Sequence, residues 1–122
     1  MGRFLLVCLG GAAGTGARYL FGLWAVKTFG TRFPWGTLFI NTIGSFLIVI
    51  ILGAGTGRAG MSPELRLVLA TGVMGGFTTY SSFNFEALRL FQHGEAALSV
   101  LYIGATLFGC LVAGTIGILA TR

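Results

Sequence analysis

Hydroxyl and aromatic side chains are concentrated in residues 72–86, which read G-V-M-G-G-F-T-T-Y-S-S-F-N-F-E. The stretch lies in the middle of an apolar segment that begins near Leu65 and ends near Phe91. Glycine weakens a helix, and short hydroxyl side chains can satisfy the backbone groups that a break frees, so we expect the helix to be interrupted here. Non-helical backbone at membrane depth persists only where protein buries it or water lines it. The stretch is therefore either an ion or substrate site at the centre of a bundle or a glycine-rich packing face with its aromatics turned to lipid.

The composition is that of a membrane protein. Of the 122 residues, 55% are hydrophobic and 9% are charged, whereas about a quarter of the residues in a soluble domain are charged. Four apolar segments of about 20 residues, the length that crosses a bilayer core, account for nearly the whole chain. We therefore predict an all-α membrane protein in which residues 1–122 form a single domain of four transmembrane helices, with the third helix broken.

The polar residues argue against several classes of function. The net charge of +5 comes from lysines and arginines scattered along the chain, so there is no basic patch and nucleic acid is not expected as a partner. Cys8 and Cys110 both fall in apolar segments and are predicted to be buried thiols rather than a disulfide or a metal site. The sequence contains no nucleophile–base pair, Walker sequence or metal-ligand cluster, so an enzyme is not expected.

The first helix carries an arginine within its span. Gly10 and Gly14 form a G-x-x-x-G step that lets a neighbouring backbone approach closely, and Arg18 continues the same face at i+4. An arginine at the bilayer centre costs about 2.5–3.5 kcal/mol on insertion scales. We expect Arg18 to face water or an anion, or else to extend its side chain to the helix end.

Two other helices carry polar residues at helical spacing: Thr37, Asn41 and Ser45 on the second, and Ser99, Tyr102, Thr106 and Cys110 on the fourth. Asn41 either donates into a pore or forms an interhelical hydrogen bond. Each polar face alone is compatible with helix–helix contact. Polar faces on the second, third and fourth helices together predict the walls of a narrow, wet path lined by neutral donors.

Such a path suits an anion. The first, second and fourth helices contain no internal acid, and only Glu86 lies near the break. Aromatic ring edges carry partial positive charge, so Tyr80 and Phe83, at i and i+3, can border one small anion on a resumed helix.

The charges of the loops do not fix an orientation in the membrane. With four spans, one side holds four basic residues and the other holds three: Arg3, Arg58, Arg66 and Arg122 against Lys27, Arg32 and Arg89. The positive-inside rule needs a larger difference. We therefore expect the chain to insert both ways and to pair as an antiparallel dimer.

At these residues the sequence resembles the Fluc (CrcB) family of fluoride channels. The likeness covers the whole chain: its length, its spans, Arg18 with the glycines before it, Asn41, and above all G-G-F-T-T-Y-S-S-F followed by Glu86. It implies a passive, fluoride-selective channel that exports fluoride across the bacterial cytoplasmic (inner) membrane. The expected assembly in the lipid bilayer is a dual-topology, antiparallel homodimer with two pores.

The resemblance also implies roles for individual residues. The fluoride pathway would be lined by Asn41, Tyr80, Ser81, Phe83, Tyr102, Thr106 and Cys110. Arg18 would make a vestibule electropositive. The backbone carbonyls of Gly75 and Thr78 from both subunits would bind a structural sodium ion at the dimer interface, since oxygen ligands suit a hard cation.

Two positions depart from the family pattern. The family usually has phenylalanine where Tyr80 stands, by natural variation or deliberate substitution, and a hydroxyl where Cys110 stands. Two other classes compete with the channel. A small dual-topology exporter of the multidrug type needs a membrane-embedded acid, typically in the first helix, and a non-conducting assembly subunit would use the polar faces for packing alone.

Overall fold

The computed structural model describes residues 1–54 and 60–122. All regular secondary structure in these residues is helical. Its elements in chain order are α1 (Gly2–Phe29), α2 (Trp35–Ala54), α3 (Pro63–Leu67), a π-helical segment (Val68–Met74), α4 (Gly75–Phe77), α5 (Tyr80–Gln92) and α6 (Ala96–Ala120). Arg58, which was counted among the loop charges, lies outside the described residues.

Three helices in the described part of the chain are long and apolar enough to cross a membrane: Gly2–Phe29, Trp35–Gly53 and Ala96–Ala120. Many of their large apolar side chains point away from the protein; Phe108 and Leu111, for example, are each 72% exposed. Such surfaces are unfavourable in water and are expected on helices that contact lipid or another protein chain. The prediction of an all-α membrane protein is confirmed.

The third apolar region is helical in two parts. Ser62 caps its start as predicted, because its Oγ accepts from the Leu65 N–H at 3.2 Å and Pro63 follows as the first helical residue. The chain then passes through seven π-helical residues, which the sequence did not predict. After Phe77 the backbone is extended at Thr78 (φ −79°, ψ 159°) and Thr79 (φ −154°, ψ 116°), and α5 begins at the next residue.

Glycines let α1 contact the π-helical segment backbone to backbone. A Cβ atom at Gly14 would lie 2.0 Å from the carbonyl oxygen of Val73, and one at Gly76 would lie 2.4 Å from that of Gly11. A Cβ at Gly10 would lie 2.9 Å from a backbone oxygen of the same segment. The predicted close approach at the G-x-x-x-G step is confirmed, and it fixes the backbone that leads into the break.

The residues before and after the break pack into separate apolar clusters between the remaining helices. α2 packs along α6, and α5 also packs on α6. Phe77, the last residue before the break, belongs to one apolar cluster with Ile40 and Met74. Phe83, in the first turn after it, belongs to a second cluster with Tyr102 and with Ala87.

The two cysteines differ in their surroundings. Cys8 is exposed on α1, and Cys110 is half-buried on α6; both are free thiols. The prediction that both are buried is wrong for Cys8, because an evenly apolar helix does not reveal which of its faces packs against protein.

An ion pair joins the start of α1 to the start of α3. Arg3 donates to the carboxylate of Glu64. A hydrogen bond from the backbone of Glu64 itself, and then the Arg3 guanidinium, hold the pKa of Glu64 below its usual range. The pair is exposed, so it contributes little to the stability of the fold.

Candidate ion pathway at the helix break

The amide of Asn41 binds both backbone groups of Thr79 at the break. Asn41 Nδ2 donates to the Thr79 carbonyl oxygen at 2.9 Å, and Asn41 Oδ1 accepts from the Thr79 N–H at 2.8 Å. A side-chain amide has two N–H donors, so one N–H is left over by this pair. Asn41 therefore forms an interhelical hydrogen bond, as one of the two sequence interpretations held, and still has a donor to offer.

Thr79 also caps the start of α5. Its Oγ1 accepts from the Ser82 N–H at 3.2 Å and donates to the Ser82 hydroxyl at 3.0 Å. The unpaired N–H groups at the start of a helix carry partial positive charge. The break therefore places a positive helix end inside the bundle.

A cavity of about 340 Å³ opens beside the break, between α2, α5 and α6. We call it the donor cavity; its lining residues are Asn41, Gly44, Ser45, Ile48, Thr78, Thr79, Tyr80, Phe83, Thr106, Leu107 and Cys110. It brings together most of the residues predicted for the pathway, from three separate helices. None of these lining residues is charged, so its polar groups are neutral hydroxyl, amide, thiol and backbone groups.

Thr106 lines this cavity and carries a buried hydroxyl. The residue is only 4% exposed, and its Oγ1 has no hydrogen-bond partner among the described residues. Threonines on membrane helices commonly donate to the carbonyl four residues earlier, as Thr42 and Thr115 do here at 2.8 Å. A buried polar group without a partner is rare in native proteins and points to a missing ligand or water.

The two predicted aromatic residues lie next to each other at the side of the donor cavity. The ring centroids of Tyr80 and Phe83 are 5.6 Å apart, with the planes inclined at 59°. Phe83 is 6% exposed, whereas Tyr80 is 76% exposed. Phe83 is therefore part of the wall, and Tyr80 stands at the open side.

Two predicted pathway residues do not line the donor cavity. Ser81 is exposed, with its hydroxyl 3.4 Å from Thr79 Oγ1. Tyr102 is fully buried, and its hydroxyl donates to Glu86 Oε2 at 2.8 Å. Thr37 Oγ1 donates to the other carboxylate oxygen of Glu86 at 2.9 Å.

Sequence reasoning missed this buried cluster around Glu86. The signals were present, since Glu86 is the acid nearest the break and Thr37 shares a helical face with Asn41. What could not be predicted is that Tyr102 turns toward the carboxylate rather than toward the cavity.

A second cavity, of about 440 Å³, lies on the other side of the break. We call it the basic cavity, because its lining includes three arginines, Arg18, Arg32 and Arg89, and one acid, Glu86. Arg18 is half-buried, and its Nη1 lies 3.4 Å from the carbonyl oxygen of Thr78. Thr79 lines both cavities, so the extended residues of the break form the wall between a basic and a neutral space.

The backbone at the break fits the predicted sodium ligands. The Thr79 N–H, which in a continuous helix would donate to the Gly75 carbonyl, donates to Asn41 instead. Gly75 is exposed, and no heavy atom lies within 4 Å of a Cβ placed on it. Among the described residues the Thr78 carbonyl has one side-chain contact, the long one to Arg18, and a carbonyl oxygen has two lone pairs. Both oxygens are of the ligand type that hard cations prefer, so the sodium site stays a prediction that these residues fit.

The long apolar helices define a multi-pass membrane protein. The family model described as CrcB-like protein, Camphor Resistance (CrcB), matches residues 5–118, and the chain belongs to this family. The family predicted from the motif at the break is thus confirmed.

Relatives of the chain carry one name, fluoride-specific ion channel FluC. The chain is 54% identical over 122 residues to such a protein from Anaeromyxobacter sp. (strain K), covering 100% of this chain and 97% of the relative. It is 49% identical to that of Sorangium cellulosum, covering 100% and 96%. It is 50% identical over 112 residues to that of Thermus thermophilus, covering 91% and 87%.

Proposed function

We propose that this chain is a passive, fluoride-selective channel, rather than an enzyme, and that it exports fluoride across the cytoplasmic membrane. The observation that carries the proposal is the buried, unpartnered hydroxyl of Thr106 in a cavity lined by neutral donors and aromatic rings. The relatives named as fluoride-specific ion channels support the choice of ion.

The groups that line the donor cavity can replace the water molecules that hydrate fluoride. The Thr106 hydroxyl and the remaining N–H of Asn41 donate to the ion, and the edges of the Phe83 and Tyr80 rings contribute partial positive charge. No formal positive charge lines the cavity, so the ion is not held too firmly to leave, as conduction requires.

The basic cavity concentrates the anion before it reaches the break. Arg18, Arg32 and Arg89 line it together with one acid, Glu86, and a cleft with an excess of positive charge raises the local concentration of anions. Arg18 contacts the carbonyl oxygen of Thr78, a residue that lines the donor cavity. It would therefore be the arginine nearest to that cavity.

The proposed assembly is an antiparallel homodimer of dual topology with two pores, in which residues 63–92 form a broken third span. The near balance of the loop charges, the outward-facing apolar side chains and the open surface at Gly75 support it. In this assembly the Gly75 and Thr78 carbonyls of both copies would hold a structural sodium ion, which when bound supplies a fixed positive charge at the interface.

Two rival functions fit less well. An exporter of organic cations needs a membrane-embedded acid, typically in the first helix, where this chain has Arg18 and no acid. In a non-conducting assembly subunit no ion would bind the buried hydroxyl of Thr106, which has no hydrogen-bond partner among the described residues.

We expect Thr106→Val to separate conduction from stability. Valine has nearly the same shape but no hydroxyl, and an unpaired buried hydroxyl costs about 1–3 kcal/mol, so the unfolding temperature should stay the same or rise. Fluoride efflux from liposomes, measured with a fluoride electrode, should fall about tenfold or more, because one donor to the ion is lost.

Thr115→Val is the matched control for this test. Thr115 is exposed on the same helix, and its hydroxyl already donates to the Leu111 carbonyl. The Thr115→Val variant should leave fluoride efflux unchanged. Efflux by Thr106→Val at the wild-type rate would contradict the proposed path.

Tyr80→Phe is expected to increase fluoride efflux. The Tyr80 hydroxyl stands at the open side of the donor cavity, where it can hold the ion or obstruct its way. The same liposome assay measures the change against the rate of the wild-type chain. An equal or slower rate for the Tyr80 variant would count against this role of the hydroxyl.

A further inference from the structure

One thiol of the chain lies in the donor cavity and the other does not. Cys110 is half-buried and lines the cavity beside Asn41 and Ser45. Cys8 is exposed on α1, outside the lining of either cavity. The chain has two cysteines, so each serves as the control for the other.

A second observation supports a ligand in the space beside Cys110. Thr106, one helical turn earlier on the same face of α6, lines the same cavity and is only 4% exposed, and its buried hydroxyl has no hydrogen-bond partner among the described residues. Such a group points to a ligand or a water molecule that the hydroxyl would bind. Cys110 is half-buried in this cavity, so a small molecule that enters the cavity can reach the sulfur.

The helix that carries Cys110 contacts α2 on both sides of this residue. A Cβ at Gly109 would lie 3.3 Å from the hydroxyl oxygen of Thr42, and one at Gly114 would lie 3.8 Å from the carbonyl oxygen of Ser45. Cys110 therefore lies on a part of α6 that is held against α2, and a group added to its sulfur would occupy the donor cavity.

We propose that Cys110 is a modification site at which small, neutral thiol-reactive electrophiles close the donor cavity to ions. This inference rests on the proposed channel function. The probe is methyl methanethiosulfonate: the thiol loses its proton to water, and the thiolate attacks the sulfenyl sulfur. A new S–S bond joins Cys110 to the methylthio group, the bond to the sulfonyl sulfur breaks, and methanesulfinate leaves with the electron pair.

The membrane should reverse the order in which the two thiols react. On the isolated chain Cys8 is the more exposed thiol. However, the thiolate is the reactive form, and a thiol in apolar surroundings ionises poorly. In a bilayer Cys8 faces hydrocarbon or another chain, whereas Cys110 faces the water of the donor cavity.

The test uses the full chain in liposomes as wild type, Cys8→Ser and Cys110→Ser. Mass spectrometry of the peptides follows labelling of each thiol, and a fluoride electrode follows efflux before and after treatment. We expect Cys110 to be labelled faster than Cys8. Wild type and Cys8→Ser should show about a tenfold loss of efflux that dithiothreitol reverses, because a constriction blocks conduction. Cys110→Ser should keep its own untreated rate.

Two results would overturn the inference: faster labelling of Cys8 than of Cys110, or unchanged efflux by protein whose Cys110 is fully labelled. If the untreated protein carried no fluoride, the proposed function would fail. The order of labelling would still decide whether Cys110 faces a water-filled cavity.

Discussion

Replacing Gly14 by alanine is expected to abolish fluoride efflux and to destabilise the fold. The added Cβ would lie 2.0 Å from the Val73 carbonyl oxygen and 2.9 Å from the Phe77 backbone nitrogen. Both neighbours are backbone atoms of the helix that leads into the break, so neither can turn aside as a side chain could. Overpacking costs about 1–3 kcal/mol and occasionally more, and a backbone contact belongs at the upper end.

The control for this prediction lies half a turn away on the same helix. No heavy atom lies within 4 Å of a Cβ placed on Gly16. Gly16→Ala should therefore keep its efflux, and alanine adds about 0.5–1 kcal/mol of helix preference over glycine. Thermal unfolding and size-exclusion chromatography in detergent, together with fluoride efflux, measure the difference. Equal behaviour of the two variants would show that α1 does not contact the π-helical segment in this way.

Asn41→Ala is expected to reduce fluoride efflux about 100-fold, because two losses coincide. The Thr79 N–H and carbonyl both lose their partner, and each unsatisfied buried group costs about 1–3 kcal/mol. The donor cavity also loses the free N–H of the amide. The break should therefore become less ordered and the path should lose a donor to fluoride.

The other asparagine of the chain is the control. Asn84 is exposed on α5 and does not line the donor cavity. Asn84→Ala should conduct at the wild-type rate, and circular dichroism with thermal unfolding should register a loss of stability in Asn41→Ala alone. Fluoride efflux by Asn41→Ala at the wild-type rate would remove this residue from the pathway.

Features that depend on local sequence were predictable. Hydropathy alone indicated the three long apolar helices, and the Ser62-Pro63 pair indicated the start of the third helical region, as the structure confirms. The close contact at Gly10 and Gly14 followed from their spacing, because two glycines on one face leave no side chain between the backbones. Of the two interpretations of Asn41, the hydrogen bond to another helical segment is confirmed, and donation into a pore stays a prediction.

Features that depend on the partner of a side chain were not predictable. Asn41 pairs with Thr79, 38 positions later in the chain, and helical spacing carries no information about such a partner. Tyr102 shares a face with Thr106 and Cys110 but turns to Glu86. The π-helical segment lies where α1 approaches, and nothing in its own residues had indicated it.

Anion efflux from liposomes that contain the purified wild-type chain tests the central claim most directly. A fluoride electrode and a chloride electrode follow release from vesicles loaded with both ions, after a potassium ionophore removes the charge imbalance. If neutral donors in the helical bundle replace the water of fluoride, fluoride should leave rapidly while chloride stays at the level of protein-free vesicles. Release of both ions at one rate, or of neither, would contradict the account.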